Sequence, residues 1–208
     1  MGAPIPGAPG SIGVPLPGDT DSWDFGVGAG FYLDAAQAPW SAHWRMESYV
    51  VDELNALVTA HFPVDPARQG LFGHSMGGHG ALTLALRHPQ RWRSVSAFAP
   101  ISAPMRCPWG EKAFTGYLGP DRSRWAEHDA TQLLQSRGPL PCPLLIDQGL
   151  ADKFLEEQLK PELLEEAAAS AGQEVILRRH EGYDHSYWFI QTFMADHLAH
   201  HARALKAA

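Results

Sequence analysis

Residues 70–79 read Gly-Leu-Phe-Gly-His-Ser-Met-Gly-Gly-His, and this stretch decides the fold. Its first three residues form a short apolar run that predicts a buried strand, and the apolar pattern over 76–88 predicts a helix directly after it. The turn between them has the Gly-x-Ser-x-Gly pattern, which raises a serine on a sharp strand-to-helix turn. We expect side chains at Gly73 and Gly77 to collide with neighbouring backbone, so that glycine is required at both positions.

This turn predicts a nucleophile and the group that stabilises its product. Ser75 is the predicted nucleophile, and the backbone N–H of Met76 lies where a helix N-terminus would stabilise a developing oxyanion. A serine hydroxyl reacts only when a base takes its proton. In α/β-hydrolases an acid and then a histidine follow the serine along the chain, each after a later strand.

Two aspartates are candidates for the acid. Asp147 lies at the end of the apolar segment 142–149, which predicts a third strand, and its side chain there is placed to point into a helix layer. Asp152 lies farther out in the following loop, from which it can reach a histidine. We favour Asp152.

Two histidines are candidates for the base. His180 directly follows the predicted fourth strand at 174–179, whereas His185 lies in the loop before the last predicted helix, 187–206. A loop at that position can carry a side chain over the serine. We favour His185 and expect His180 to be structural or exposed.

Alternating strands and helices predict an α/β fold with a parallel sheet and flanking helices. The predicted strands are 70–72, 94–100, 142–149 and 174–179, and the predicted helices are 43–60, 76–88, 162–171 and 187–206. The aromatic-rich segment 101–138 is predicted to form a packed cap or pocket wall. Residues 1–21 are rich in proline and glycine and predict an extended leader before a single domain at 22–208.

Composition excludes several classes of protein. The 208 residues carry a net charge of −7, which argues against nonspecific binding to nucleic acid. No apolar run approaches the ~20 residues of a membrane span, and no secretory signal pattern is visible. Two cysteines, Cys107 and Cys142, make no disulfide framework and predict reduced thiols in a cytoplasmic protein.

Several histidines lie outside the predicted catalytic set. His197, His200 and His201 share helical spacing with Asp196, which is compatible with a metal site but favours a solvated polar face on the last helix. His74 and His79 flank the serine turn, where each is expected to fill a polar niche.

Longer motifs resemble the S-formylglutathione hydrolase (esterase D) family. The resemblance spans residues 22–201, and its most specific stretches are CPWGEKAF at 107–114 and EGYDHSYWF at 181–189, beside GHSMGGHGAL at 73–82. It implies a serine hydrolase of glutathione thioesters in formaldehyde detoxification, which needs no metal or organic cofactor. Carried over by motif, its catalytic roles fall on Ser75, Asp152 and His185. A general short-chain carboxylesterase and a weakly active or non-catalytic remnant are the alternatives.

The resemblance also predicts what this chain lacks. Members of the family carry a further segment upstream, which holds the first strands of the sheet and the loop with the second oxyanion N–H. We therefore expect the strand ending at Phe72 to lie at an open sheet edge and to favour a homodimer, a covering leader or aggregation. Three cations, Arg45, Lys112 and Lys153, are candidates for binding the carboxylates of glutathione.

Overall fold

Four parallel strands form the sheet of a computed structural model that describes residues 15–206. In spatial order they are β1 (Gly70–His74), β2 (Ser94–Phe98), β3 (Leu144–Gly149) and β4 (Val175–His180). All four predicted strands are present. β2 ends two residues early because Ala99 has a φ of +41°, and β4 extends to include His180.

Eight α-helices connect or flank these strands within the described residues. They are α1 (Met46–Ser48), α2 (Asn55–His61), α3 (Met76–Arg87), α4 (Pro108–Leu118), α5 (Arg122–Trp125), α6 (Ala130–Arg137), α7 (Pro161–Ala171) and α8 (Tyr187–Lys206). A π-helical segment, Tyr49–Leu54, joins α1 to α2, so the predicted helix 43–60 is one irregular helical stretch. α7 begins at a proline and ends at Gly172, whose φ of +72° closes the helix as its sequence predicts.

The main core lies on one face of the sheet. Leu82 of α3, Leu133 of α6 and Leu164 of α7 pack there against Val95 and Ile146 of the central strands. Since each of these side chains is almost completely buried, this face holds the three helices in place and fixes the start of α3 beside the end of β1.

The segment 101–138 folds into α4, α5, α6 and short 3-10 turns. Phe114, Tyr117 and Trp125 are buried in a second cluster with Phe31 and Phe98, near the carboxyl end of β2. Three of the four aromatic residues that suggested a packed cap are therefore core residues, and Trp109 is partly buried at its margin.

The prediction of a solvated histidine face on α8 is wrong. His197, His200 and His201 are buried against the other face of the sheet, where they hydrogen-bond to β2. The helical spacing that suggested a polar surface instead presents these imidazoles to polar groups of the sheet. Within the part of the chain that the structure describes, no group of three or more ligating side chains is arranged to hold a metal ion.

β1 and β4 form the two edges of the sheet, as far as residues 15–206 show. Phe72, at the centre of β1, is 48% exposed, which agrees with the predicted open edge.

Both cysteines are free, and burial raises the pKa of Cys107 to about 11. No described helix is both long and apolar enough to span a membrane. The predictions for residues 1–14 lie outside the described residues, and within 15–21 Asp19 is buried and accepts the Leu16 N–H.

Candidate active site

Ser75 lies on the strained turn between β1 and α3. Its φ of +57° and ψ of −119° fall in a region that L-residues rarely occupy, and such strain persists only where the surroundings hold it. Here the Ser75 N–H donates to the Phe98 carbonyl (2.9 Å), and the Ser75 carbonyl accepts from the N–H of His79 (3.0 Å) and of Ile101 (3.3 Å). The turn is thus tied to both β2 and α3, and it joins β1 to α3, which is the strand–turn–helix setting that the sequence predicts.

Only one of the two predicted glycine requirements is present at this turn. A Cβ at Gly73 would lie 2.2 Å from the Gly77 carbonyl oxygen, so no side chain fits there. A Cβ at Gly77 would meet the Tyr32 side chain at ordinary distances, 3.5 Å from its hydroxyl oxygen, and the expected collision at Gly77 is wrong. The crowded glycine is instead Gly80, one turn later, where a Cβ would lie 2.3 Å from the Tyr32 ring.

Asp152 and His185 come together beside this turn. His185 Nδ1 lies 2.5 Å from Asp152 Oδ2, while Asp152 Oδ1 accepts the Phe154 N–H at 2.9 Å. The Asp152 side chain is fully buried and that of His185 is mostly buried. A buried carboxylate bonded to Nδ1 leaves Nε2 free to accept a proton, which is the arrangement of a general base.

The rejected candidates Asp147 and His180 lie elsewhere. Asp147 is fully buried and binds Arg178 through both carboxylate oxygens, at 2.6 and 2.5 Å. Burial alone would raise the pKa of Asp147, but bonds from His197 and Arg178 hold that pKa well below its usual range. His180 Nε2 lies 3.2 Å from the same carboxylate. Both residues therefore belong to a network on the α8 face of the sheet.

The loops that carry Asp152 and His185 are bonded to each other. The Leu150 N–H donates to the His180 carbonyl, and the Ala151 N–H donates to the Tyr183 carbonyl, each at 2.9 Å. A Cβ at Gly149 would lie 2.3 Å from that Tyr183 oxygen, so glycine allows the loops to approach this closely. These backbone bonds set the separation of the acid and the histidine.

Sequence reasoning missed two neighbours of His185. The His74 ring lies 4.3 Å from the His185 ring, and burial together with the charge of His185 lowers the pKa of His74 to about 4. Phe154 packs edge-on against His185, with ring centroids 5.2 Å apart. Their positions beside Ser75 and Asp152 in the chain were the available signal. A neutral ring and an apolar ring thus enclose His185.

The three candidate cations differ in their partners. Arg45 pairs with Asp34, 3.6 Å away, and Lys112 pairs with Asp24. Lys153 instead lies over the Phe154 ring, 4.8 Å from its centroid, and makes no ion pair with any residue in 15–206. Of the three, Lys153 is the cation without an ion pair among the described residues, and the ring beneath it packs against His185.

The order of strands, the serine turn and the Asp152–His185 pair define an α/β-hydrolase with the residues of a serine hydrolase. Comparison with known proteins supports this class of protein. Residues 11–200 match the sequence model of the family described as "Putative esterase". The chain is 55% identical to the S-formylglutathione hydrolase of Mus musculus and 51% identical to that of Arabidopsis thaliana, covering 94% and 93% of this chain and 70% and 68% of those proteins.

A solved structure of an S-formylglutathione hydrolase is also similar to this chain. An S-formylglutathione hydrolase from Agrobacterium tumefaciens superposes with a TM-score of 0.86 at 54% identity, covering 88% of this chain and 66% of that one. The chain therefore belongs to the S-formylglutathione hydrolase family of esterases, and it spans about two thirds of the length of the relatives it matches.

Proposed function

We propose that this protein hydrolyses S-formylglutathione to glutathione and formate, with Ser75 as nucleophile, His185 as base and Asp152 as the acid that orients it. The observation that carries the proposal is the 2.5 Å contact between Asp152 and His185 beside the strained Ser75 turn, in a chain of this family. The Met76 N–H, free of a helical partner at the first turn of α3, is the proposed oxyanion donor.

The reaction proceeds in two halves. Ser75 Oγ attacks the formyl carbon while His185 Nε2 takes the hydroxyl proton, and the resulting oxyanion is stabilised by the Met76 N–H. The carbon–sulfur bond then breaks, and the glutathione sulfur leaves with the proton from His185. Water, deprotonated by His185, then attacks the formyl-serine. His185 returns that proton to Ser75 Oγ as the ester bond breaks, and the formic acid released ionises to formate in solution. Protons balance over the cycle, and every step uses groups of this chain, the substrate or water.

Lys153 is the proposed contact for a carboxylate of the glutathione part. It follows Asp152 directly, lies over Phe154, and so presents its charge beside His185. Trp109 continues the same surface, with its ring 4.7 Å from Phe154. Since the protein carries a net charge of −7, a local cation has to hold this anionic leaving group.

The test compares two substrates and two charge reversals. Purified protein is first labelled with a fluorophosphonate and then assayed with S-formylglutathione and with p-nitrophenyl acetate. Lys153→Glu should raise KM for the thioester and leave the neutral ester unaffected. Lys206→Glu makes the same charge change about 30 Å away, at the far end of the 20-residue helix α8, and should change neither. Absence of labelling at Ser75, or a preference for the simple ester, would contradict the proposed function.

We further infer that two copies pair along the β1 edge. This strand, Gly70–His74, carries no acidic or basic side chain apart from a histidine, and Phe72 is exposed at its centre, whereas the β4 edge carries Arg178 and Arg179. Apolar edge strands without charges favour pairing with another chain. Phe72→Lys should shift the sedimentation coefficient from dimer to monomer, while Ile176→Lys on the other edge should not. A wild-type monomer at micromolar concentration would contradict this inference.

A reducing compartment, the cytoplasm, is the proposed location. Both cysteines are free, and Cys107 is buried with a raised pKa, so neither is placed to stabilise a secreted fold by a disulfide. Fractionation of cells with an antibody against the native protein tests this directly, since recovery outside the cytoplasmic fraction would contradict it.

A further inference from the structure

A continuous chain of hydrogen bonds runs beneath the sheet, between the sheet and α8. His197 Nε2 lies 3.1 Å from Asp147 Oδ2, and its Nδ1 lies 2.8 Å from Ser96 Oγ. Ser96 Oγ in turn lies 2.8 Å from His201 Nε2, and His201 Nδ1 lies 2.6 Å from Ser94 Oγ. All five side chains are buried.

With both imidazoles neutral, a single arrangement of protons satisfies every bond in this chain. Ser94 donates to His201, His201 donates to Ser96, Ser96 donates to His197, and His197 donates to the Asp147 carboxylate. Burial lowers the pKa of His201 to about 4, which favours its neutral form. All donors point towards one carboxylate, so the chain is polarised in a single direction.

The sequence leaves space for this chain and balances its charge. A Cβ at Gly70 would lie 2.4 Å from Ser94 Oγ and 2.7 Å from His201 Nδ1, so glycine is required where the chain ends. At the other end Arg178 binds Asp147 with two bonds and also reaches Asp196, at 2.6 Å. The buried carboxylate therefore has a cation and a full set of donors.

The network is no second catalytic site, although Asp147, His197 and Ser96 have the residue types of a triad. Ser96 and His197 are completely buried beneath the sheet, so no substrate can reach the hydroxyl. The role of the network follows from the groups that it contacts and not from its residue types.

Two contacts lead from this network to the nucleophile. The Phe98 ring stacks on His197 with centroids 3.7 Å apart, and the Phe98 carbonyl accepts the Ser75 N–H. The Asp147 carbonyl accepts the Ala99 N–H at 2.7 Å. This bond holds Ala99, the residue that follows Phe98, at its φ of +41°. The strained backbone at Ser75 thus rests on a segment that His197 and Asp147 hold from below.

We propose that Asp147, acting through His197 and the Phe98 ring, is a positioning residue for the nucleophile Ser75. The proposal rests on the function proposed above, since it takes Ser75 as the reacting group. The network fixes the height and direction of the serine turn, and none of its hydrogen bonds involves Lys153, the residue proposed to bind substrate. Its loss should therefore lower kcat and leave KM unchanged, because misplacement of a reacting group acts on the chemical step.

The experiment compares Asp147→Asn and Phe98→Leu with the wild type. Each protein is titrated with a fluorophosphonate, and kcat is expressed per labelled Ser75 at a temperature well below the unfolding transition, so that an unfolded fraction does not count. We expect kcat and the labelling rate to fall on the order of ten- to a hundredfold while KM stays within about twofold. Phe98→Leu keeps every hydrogen bond of the network and removes the stacking contact on His197, together with the edge contact to Phe189. It therefore tests the proposal if Asp147→Asn does not fold.

The matched control is Glu165→Gln. It removes the ion pair between Glu165 of α7 and Arg179, which neighbours Arg178 on β4. It should leave kcat and KM unchanged. Wild-type kcat per labelled serine in a folded Asp147→Asn or in Phe98→Leu would overturn the positioning role, while the proposed function would stand. A wild-type protein that neither labels nor turns over would overturn the function, and the positioning role with it.

Discussion

Replacing Asp152 with asparagine tests the proposed site most directly. The substitution keeps the size of the side chain, and its carbonyl oxygen can still accept the Phe154 N–H that Asp152 Oδ1 accepts at 2.9 Å. Its amide group, however, faces His185 Nδ1 as a donor. The neutral imidazole then has to carry its proton on Nε2, and that nitrogen can no longer accept the proton of Ser75.

The size of the effect follows from the contact that is lost. Two unit charges separated by about 3 Å interact by about 5 kcal/mol at an effective dielectric constant of about 20, and Asp152 is fully buried beside His185. This energy is available to the imidazolium that forms in the transition state. Because an amide dipole recovers a part of it, we expect kcat to fall on the order of 10³–10⁴-fold, or about 4–5 kcal/mol.

The assay is steady-state hydrolysis of S-formylglutathione, with the fluorophosphonate labelling rate as a second measure of Ser75 reactivity. Both rates should fall together, and KM and the unfolding temperature should change little. A loss of less than tenfold in Asp152→Asn would refute this reasoning. So would a larger loss in Asp147→Asn, because Asp147 contacts Arg178 and His197 and not His185.

Three further predictions concern the serine turn and the buried histidines. Ser75→Ala and His185→Ala should each lower kcat by about 10³-fold or more with KM little changed, and ordinary turnover in either variant would argue for another nucleophile or base. Gly73→Ala should lower the free energy of unfolding by about 1–3 kcal/mol in urea titrations, because its Cβ would strike a backbone oxygen, whereas Gly77→Ala should not, and equal effects would contradict the packing argument. Burial lowers the pKa of His79 to about 4, below its unfolded value of 6.5, so the folded state binds fewer protons than the unfolded state between these values. The free energy of unfolding should therefore fall as the pH drops from about 6.5 towards 4. Equal free energies of unfolding at pH 7 and pH 5 would count against this prediction.

Local signals were sufficient for the framework of the fold. The apolar run before Ser75, the proline and glycine that bound α7, and the alternation of strands and helices each depend on near neighbours in the chain. The strained serine turn was predictable for the same reason, since the strand, the turn and the helix are contiguous. These features set the fold class and the candidate nucleophile.

The sequence favours Asp152 over Asp147, and the tertiary structure shows which side chain each of them contacts. Asp147 and Asp152 are five residues apart, yet one meets Arg178 on the next strand and the other meets His185 across 33 residues. Neither partner is visible in local periodicity, because the choice depends on which loops the backbone bonds bring together. The imidazoles of α8 show the same limit, since helical spacing places them on one face and only the packed sheet supplies Ser94, Ser96 and Asp147 as their partners. Sequence determined which residues have the required chemistry, and long-range packing determined which of them contact each other.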